Sequence, residues 1–105
     1  MQQIPSRRQL KISELLKKGL SEIFSGRRHF DPLLESQNLT IVNVVVNTDL
    51  KIAKISVDSY VSSKDEKMIA MIIKVLNDNS GFYRSMLAKS LKLRFTPQLR
   101  FEAQK

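Results

Sequence analysis

Cysteine and tryptophan are both absent from this 105-residue sequence, and glycine and proline occur three times each. Without cysteine the chain can form neither a disulfide nor a thiolate zinc site, which suits a reducing compartment. No internal repeat and no low-complexity linker divides it. We therefore predict one domain spanning residues 1–105, large enough for a modest core without metal or disulfide support.

Long hydrophobic runs are also missing, because the longest, such as Val44 to Val46, are far too short to span a bilayer. The N-terminal string M-Q-Q-I-P-S-R-R lacks the apolar core of a signal peptide. These absences predict a soluble, cytoplasmic protein.

Residues for catalysis are scarce. The single histidine, His29, falls in the predicted loop R-R-H-F-D-P and has no cysteine or second histidine with which to share a metal or form a catalytic pair. We find no nucleophile with a base, no phosphate-cradling glycine loop and no acidic metal cluster. The sequence therefore predicts no enzyme activity, no metal site and no cofactor.

Positive charge, in contrast, is abundant, with a formal net charge of +8. Residues 1–28 carry seven basic and two acidic residues, and residues 80–105 carry six and one, so each end segment has a net charge of +5. The middle segment, 29–79, carries five basic and seven acidic residues. This distribution favours a polyanion such as nucleic acid or an anionic membrane surface as the partner.

Residues 82–93 follow the period of an amphipathic helix, at about 100° per residue. One side is apolar: Phe82, Tyr83, Met86, Leu87, Leu91 and Leu93. The other side is polar and cationic: Arg84, Ser85, Lys89 and Lys92. No acidic residue lies between Asp78 and Glu102. Ser80 is predicted to cap the first-turn amides, and Gly81 to allow a sharp change of direction, which would suit a bound phosphate.

A second basic face is predicted on a helix that begins at Pro5 and Ser6 and ends at Gly26. Its buried stripe recurs at helical spacing: Ile12, Leu16, Leu20, Ile23 and Phe24. Its opposite side carries basic residues, with Glu14 in the same row: Arg7, Arg8, Lys11 and Lys18. Such charges usually only keep an exposed helix face in water, and this alternative to a binding role stays open for both helices.

Between the basic ends, over residues 39–61, the hydrophobic period changes to two. Two strands joined at Thr48 and Asp49 are predicted to form an antiparallel hairpin. In the first strand we expect Val42, Val44 and Val46 on the buried side and Ile41, Asn43, Val45 and Asn47 on the other. In the second we expect Ala53, Ile55, Val57 and Val61 to share one side.

The remaining elements are a helix and a strand. The helix is predicted to begin at Ser62 or Ser63 and to end near Asn77 to Asn79. Its inward residues are Ile69, Ile72, Ile73 and Leu76. Thr96 and Pro97 stop the basic helix, and Leu99 and Phe101 alternate with polar residues in a third strand. The order α-β-β-α-α-β predicts an α+β fold in which the helices cover one face of a three-stranded sheet.

Two strings in this sequence resemble a known family: L-T-I-V-N-V-V-V-N-T-D-L-K-I-A-K-I-S-V and S-G-F-Y-R-S-M-L-A-K-S-L-K-L-R-F-T-P-Q-L-R-F. With the R-R-containing first helix, they resemble ribosome-binding factor A of bacteria over almost the whole chain. The resemblance implies a type II KH-like fold in which a helix-kink-helix of the form Ala-x-Gly replaces the usual glycine-rich loop. This kink falls on Asn79, Ser80 and Gly81, so Asn79 departs from the family pattern.

The resemblance also implies a function: binding to the small (30S) ribosomal subunit through 16S rRNA or its precursor, with assistance in late rRNA processing and a role in cold adaptation. We predict that basic residues of both helices bind the RNA: Arg7, Arg8, Lys11, Lys18, Arg84, Lys89, Lys92 and Arg94. Phosphate neutralisation would supply most of the affinity, and the shape of folded rRNA the selectivity. Phe82 and Phe101 sit on apolar faces, which leaves Tyr60 as a weak candidate for base stacking.

Several expectations accompany this hypothesis. We expect no membrane partner and a monomer when the protein is free. Two other classes stay open: a KH-like module for single-stranded RNA or a small ribosomal protein, and a protein-interaction domain that pairs through its exposed sheet. Members of the family usually continue into a tail beyond the last strand, whereas this sequence ends at Lys105.

Overall fold

Within the described residues, three helices and three strands form the fold, in the order that the sequence predicts. The structure, a computed structural model, describes residues 4–26, 34, 37–62 and 64–104. The elements are α1 (Arg7–Ser25), β1 (Leu39–Val46), β2 (Ile52–Ser59), α2 (Glu66–Asp78), α3 (Ser80–Leu91) and β3 (Gln98–Ala103). His29, Ser63 and Lys105 lie outside the described residues.

The sheet has the strand order β1-β2-β3. β1 and β2 pair antiparallel, and the side chain of Asn47 closes their connection by accepting hydrogen bonds from the backbone amides of Lys51 and Ile52, each at 2.9 Å. β3 pairs parallel with β2. A parallel pair needs a long crossover, which α2 and α3 provide here.

A bulge in β1 corrects the predicted alternation. Ile41 pairs with Val57 and Asn43 with Ser56, so the intervening Val42 has no partner. The extra residue shifts the phase of the strand. Ile41 is therefore buried, with 5% of its surface exposed, on the same side as Val44, whereas it was predicted on the opposite side. Val42, predicted inside, is only half-buried.

The second strand also ends earlier than predicted. β2 stops at Ser59, whose hydroxyl donates to the backbone oxygen of Gln37 at 2.9 Å and fills the last buried position. Val61, predicted to face inward, lies beyond the strand and is 61% exposed. Asp65, not Ser62, caps α2, because its carboxylate accepts from the Met68 amide at 3.1 Å.

All three helices lie on one face of the sheet and bury a common core. α1 begins at Ser6 as predicted, through a capping box in which Ser6 and Gln9 exchange hydrogen bonds of 3.1 and 2.7 Å. Phe24, Tyr83 and Phe101 join α1, α3 and β3, with Tyr83 centred 5.6 Å from each of the other two rings. The opposite face of the sheet carries mostly exposed side chains.

The predicted kink is present as a break at one residue. α2 ends at Asp78 and α3 begins at Ser80, while Asn79 leaves the helical conformation with φ −110° and ψ 19°. Asn79 also donates from Nδ2 to the Val75 carbonyl at 2.9 Å, which closes the end of α2. The break therefore falls on Asn79, the position at which the sequence departs from the family pattern.

Two details near the break differ from the predictions. Ser80 does not cap α3, because it is already the first helical residue, and Asn79 at the cap position makes no side-chain cap hydrogen bond. Gly81 lies inside the helix without a positive φ, and an added Cβ would meet nothing within 4 Å. At the other end α3 stops at Leu91 rather than Leu93, because Lys92 takes a left-handed conformation with φ 51°.

Two glycine substitutions test which glycine the fold requires. A Cβ on Gly19 of α1 would lie 2.7 Å from the buried Leu87 of α3. Gly19→Val should therefore lower the free energy of unfolding by about 2 kcal/mol through overpacking. Gly81→Ala should raise the free energy of unfolding by about 0.5 kcal/mol, because Ala lowers the conformational entropy of the unfolded chain and its Cβ meets no other atom in the fold. Urea denaturation measures the free energy of unfolding of both variants. Equal losses would contradict the assignment of Gly19 as the glycine that the fold requires.

Candidate nucleic-acid interface

α1 and α3 pack against each other closely and in opposite directions. Gly19 gives the closest approach, since its missing Cβ leaves room for Leu87 and Leu91. At the other end, Arg8 of α1 lines a cavity together with Leu93, which follows α3. The start of α1 therefore lies beside the end of α3.

The predicted basic side of α1 borders this contact. At about 100° per residue, Lys11 and Lys18 lie about 80–100° from the stripe of α1 that faces α3, which contains Gly19. Gln9 and Ser13 lie at a similar angle on the other side of the stripe, and their side chains bond to Val46 of β1, at 3.1 and 3.3 Å. The basic side of α1 thus faces away from the sheet and continues toward α3.

The basic side of α3 has the same orientation. Tyr83 points into the core and is fully buried. Lys92 lies about 180° and Lys89 about 120° around the helix from Tyr83. Both lysines are exposed. Lys89 lies about 160° around α3 from Leu87 and Leu91, the residues that contact α1, so it faces away from α1. The two basic sides come together at the end of α3, where Arg94 and Arg8 line one cavity.

We call the exposed part of this region the outer basic surface. It consists of Arg7, Arg8, Lys11 and Lys18 of α1 and Lys89, Lys92 and Arg94 at the end of α3. In the part of the chain that the structure describes, the single ion pair is Lys74–Asp78 on α2, so none of these cations is neutralised there. Two exposed glutamates of α1 interrupt the surface: Glu14 lies between Lys11 and Lys18 along the helix, and Glu22 lies beyond Lys18.

Arg84, also predicted to bind RNA, has a different environment. It is half-buried, and its Nε and Nη2 atoms donate to the carbonyl of Thr96 at 3.0 and 2.8 Å. Its guanidinium lies 5.9 Å from the centre of the Phe95 ring. Arg84 therefore holds the segment between α3 and β3 in place, and the predicted RNA contact through it competes with this role.

The sequence reasoning missed an exposed aromatic ring in this region. Phe95 is 56% exposed and lies next to Arg94 of the outer basic surface. Tyr60, the predicted candidate for stacking, is 83% exposed, but it follows β2 and lies outside this surface. The signal for Phe95 was its place between the end of the helix and Thr96–Pro97, where the helical period no longer assigns a side chain to the core.

The Asn79 break offers less to an anion than predicted. The Phe82 amide, one of the first-turn donors, already donates to the Asn79 carbonyl at 3.0 Å. Elsewhere, no cluster of three or more metal-ligating side chains occurs among the described residues. No helix within those same ranges is long and apolar enough to cross a membrane.

The element order, the mixed three-stranded sheet and the helix break define a type II KH-like fold. The family model described as ribosome-binding factor A matches residues 8–105, and the chain therefore belongs to the ribosome-binding factor A family. The ribosome-binding factor A of Beijerinckia indica is 35% identical over 99 residues, which cover 94% of this chain and 67% of the relative.

Solved structures share the fold. The crystal structure of ribosome-binding factor A from Thermus thermophilus matches with a TM-score of 0.69 at 21% identity, covering 90% of this chain and 94% of that one. A second match is a homology model of the Thermus thermophilus protein, fitted into an electron cryo-microscopy map of a 30S–RbfA complex. Its TM-score is 0.65 at 21% identity, covering 86% of this chain and 88% of that one.

A matched pair of substitutions separates structural from exposed cations. Arg84→Met should lower the free energy of unfolding by about 1.5 kcal/mol, because the buried Thr96 loses a charged hydrogen-bond donor. Lys89→Met removes the same charge from an exposed position of the same helix and should change it by less than about 0.5 kcal/mol. Urea denaturation measures the free energy of unfolding of both variants. If Arg84→Met lowers it as little as Lys89→Met does, Arg84 has no structural role.

Proposed function

We propose that this protein is a non-enzymatic ribosome assembly factor that binds the small (30S) ribosomal subunit. Membership of the ribosome-binding factor A family supports this. The 30S complex described for the Thermus thermophilus protein, which has the same fold, supports the choice of subunit. The observation from this chain that carries the proposal is the outer basic surface, which two adjacent helices form.

The chemistry of that surface matches folded RNA. Its seven cations are exposed and form no ion pair within the described residues, so they are available to phosphates. Releasing counterions from phosphates favours binding and makes it steeply dependent on salt. The cations of α1 extend from Arg7 to Lys18, which is about 17 Å along the helix. This length suits contact with several successive phosphates of 16S rRNA.

The finer parts of the hypothesis follow from this mode of binding. The protein would hold 16S rRNA or its precursor in an immature conformation until processing, with the largest effect in the cold, where misfolded RNA rearranges slowly. It would act in the cytoplasm and be a monomer when free. An assembly factor of this kind should be enriched on immature small subunits, whereas a ribosomal component would be stoichiometric on mature ones.

Charge reversal on α3 tests the surface. The double variant Lys89→Glu and Lys92→Glu should weaken binding to small subunits at least about tenfold at physiological salt, because two phosphate contacts become repulsive. The dependence of log K on log salt should become shallower by about two. Both side chains are exposed, so the melting temperature should change little.

The matched control is Lys64→Glu with Lys67→Glu, which changes the net charge equally at exposed positions near the start of α2. This control should bind small subunits within about threefold of the parent protein, a small surface effect. Cosedimentation over a salt series measures both variants. Equal weakening by the two pairs would mean that only net charge matters, and the outer basic surface would then not be the binding site.

A further inference from the structure

A cavity lies beside the outer basic surface, at the end of α3 that is remote from the Asn79 break. It is a cavity of about 600 Å³ between the start of α1, the β1–β2 connection and the segment between α3 and β3. Its volume is within the range of about 300–1,000 Å³ that is typical of ligand pockets. Its walls are mainly apolar, with two arginines and one aspartate: Arg8, Ile12, Asp49, Leu50, Leu93, Arg94, Phe95 and Pro97.

Phe95 forms a wall that a planar ligand can use. Its ring lines this cavity and also a neighbouring depression that contains Arg84. The Arg84 guanidinium, which lines that depression, lies 5.9 Å from the centre of the ring, and Phe95 stays 56% exposed. The backbone next to the ring is also fixed, because Arg84 holds the Thr96 carbonyl and Pro97 is fully buried. Phe95 is therefore an exposed aromatic ring on an ordered segment.

The charges around the cavity suit one nucleotide. Arg8 and Arg94 supply positive charge for a phosphate and belong to the outer basic surface. Asp49 belongs to the β1–β2 connection, and its carboxylate accepts a hydrogen bond from the Lys51 amide at 3.2 Å. That carboxylate disfavours a phosphate on its own side, and it can accept a hydrogen bond from an exocyclic amine of a base.

We propose that this cavity binds one unpaired nucleotide of the RNA, with its base stacked on Phe95 and its phosphate beside Arg8 and Arg94. This inference rests on the proposed function and adds a base contact to a surface that otherwise contacts only phosphates. A paired base cannot stack on a protein side chain without leaving its helix. The target is therefore a junction at which a folded rRNA segment adjoins an unstacked base.

The test compares three single variants for binding to small subunits by cosedimentation over a salt series. Phe95→Leu removes the aromatic face and keeps an apolar side chain, so affinity should fall about tenfold, as expected for one stacked base. The salt dependence should not change, because no charge is altered. Phe95→Tyr keeps the ring and should bind within about twofold of the parent protein. Tyr60→Leu removes an exposed ring elsewhere and should have no effect.

A second measurement locates the contact. In NMR spectra of the full chain, an unstructured RNA hexamer should shift the amide signals of Ile12, Leu50 and Phe95, which surround the cavity. Shifts confined to residues of α2 and the Asn79 break would overturn the proposal. Melting temperatures of all three variants identify any loss through unfolding, and the Phe95→Tyr result keeps the comparison valid if Leu destabilises the segment.

The outcomes separate the two proposals. If the parent protein does not bind small subunits at physiological salt, the proposed function is wrong. If it binds and Phe95→Leu binds equally well, the nucleotide pocket is wrong and the proposed function stands. Equal weakening by Phe95→Leu and Tyr60→Leu would also overturn the pocket, because it would reflect a general loss of apolar surface.

Discussion

The contact between α1 and α3 is the constraint on which the rest of the structure depends. These helices belong to opposite ends of the chain, and the sheet alone does not fix the distance between them. Gly19 lets them approach until the side chains of Leu87 and Leu91 occupy the space of its missing Cβ. The same contact brings the Phe24 and Tyr83 rings together at one end and Arg8 to the cavity that Arg94 also lines at the other.

The segment between α3 and β3 is the second element that positions the candidate site. It leaves α3 through a left-handed Lys92 and enters β3 after the buried Pro97. Arg84 anchors it through the Thr96 carbonyl. One basic residue is thus used to order the backbone from which Arg94 and Phe95 project. The order of this segment matters because a stacking ring binds well only if little conformational freedom is lost on binding.

Much of the fold could be predicted from the sequence because period and charge are local signals. The two-residue period in β2 and β3 and the capping pattern at Ser6 have no competing interpretation, and both are confirmed. The bulge at Val42 could not be predicted, since a run of β-branched residues looks alike in either phase. At the helix break the prediction of Ser80 as the cap was wrong, because the adjacent Asn79 is also polar and the helix begins one residue earlier than predicted.

The candidate site was predictable only as a set of charges. The helical period places Arg84 and Lys89 on the same polar side of one helix. Only the hydrogen bond of Arg84 to the Thr96 carbonyl, which the sequence does not reveal, distinguishes them. The exposure of Phe95 likewise depends on where α3 stops, which Lys92 decides through a conformation that its side chain does not favour. That these cations bind RNA stays a prediction, since the fold places them without a ligand.

Helix side chains also occupy both outer edges of the sheet. Asn77 of α2 accepts from the Phe101 amide and donates to its carbonyl, at 2.8 and 2.9 Å, as a neighbouring strand would. Gln9 and Ser13 do the same for Val46 at the opposite margin. An extended peptide from a second copy or from an unfolded ribosomal protein would have to displace these bonds before it could join the sheet. At Val46 and Phe101 the two sheet margins are therefore closed to an added strand.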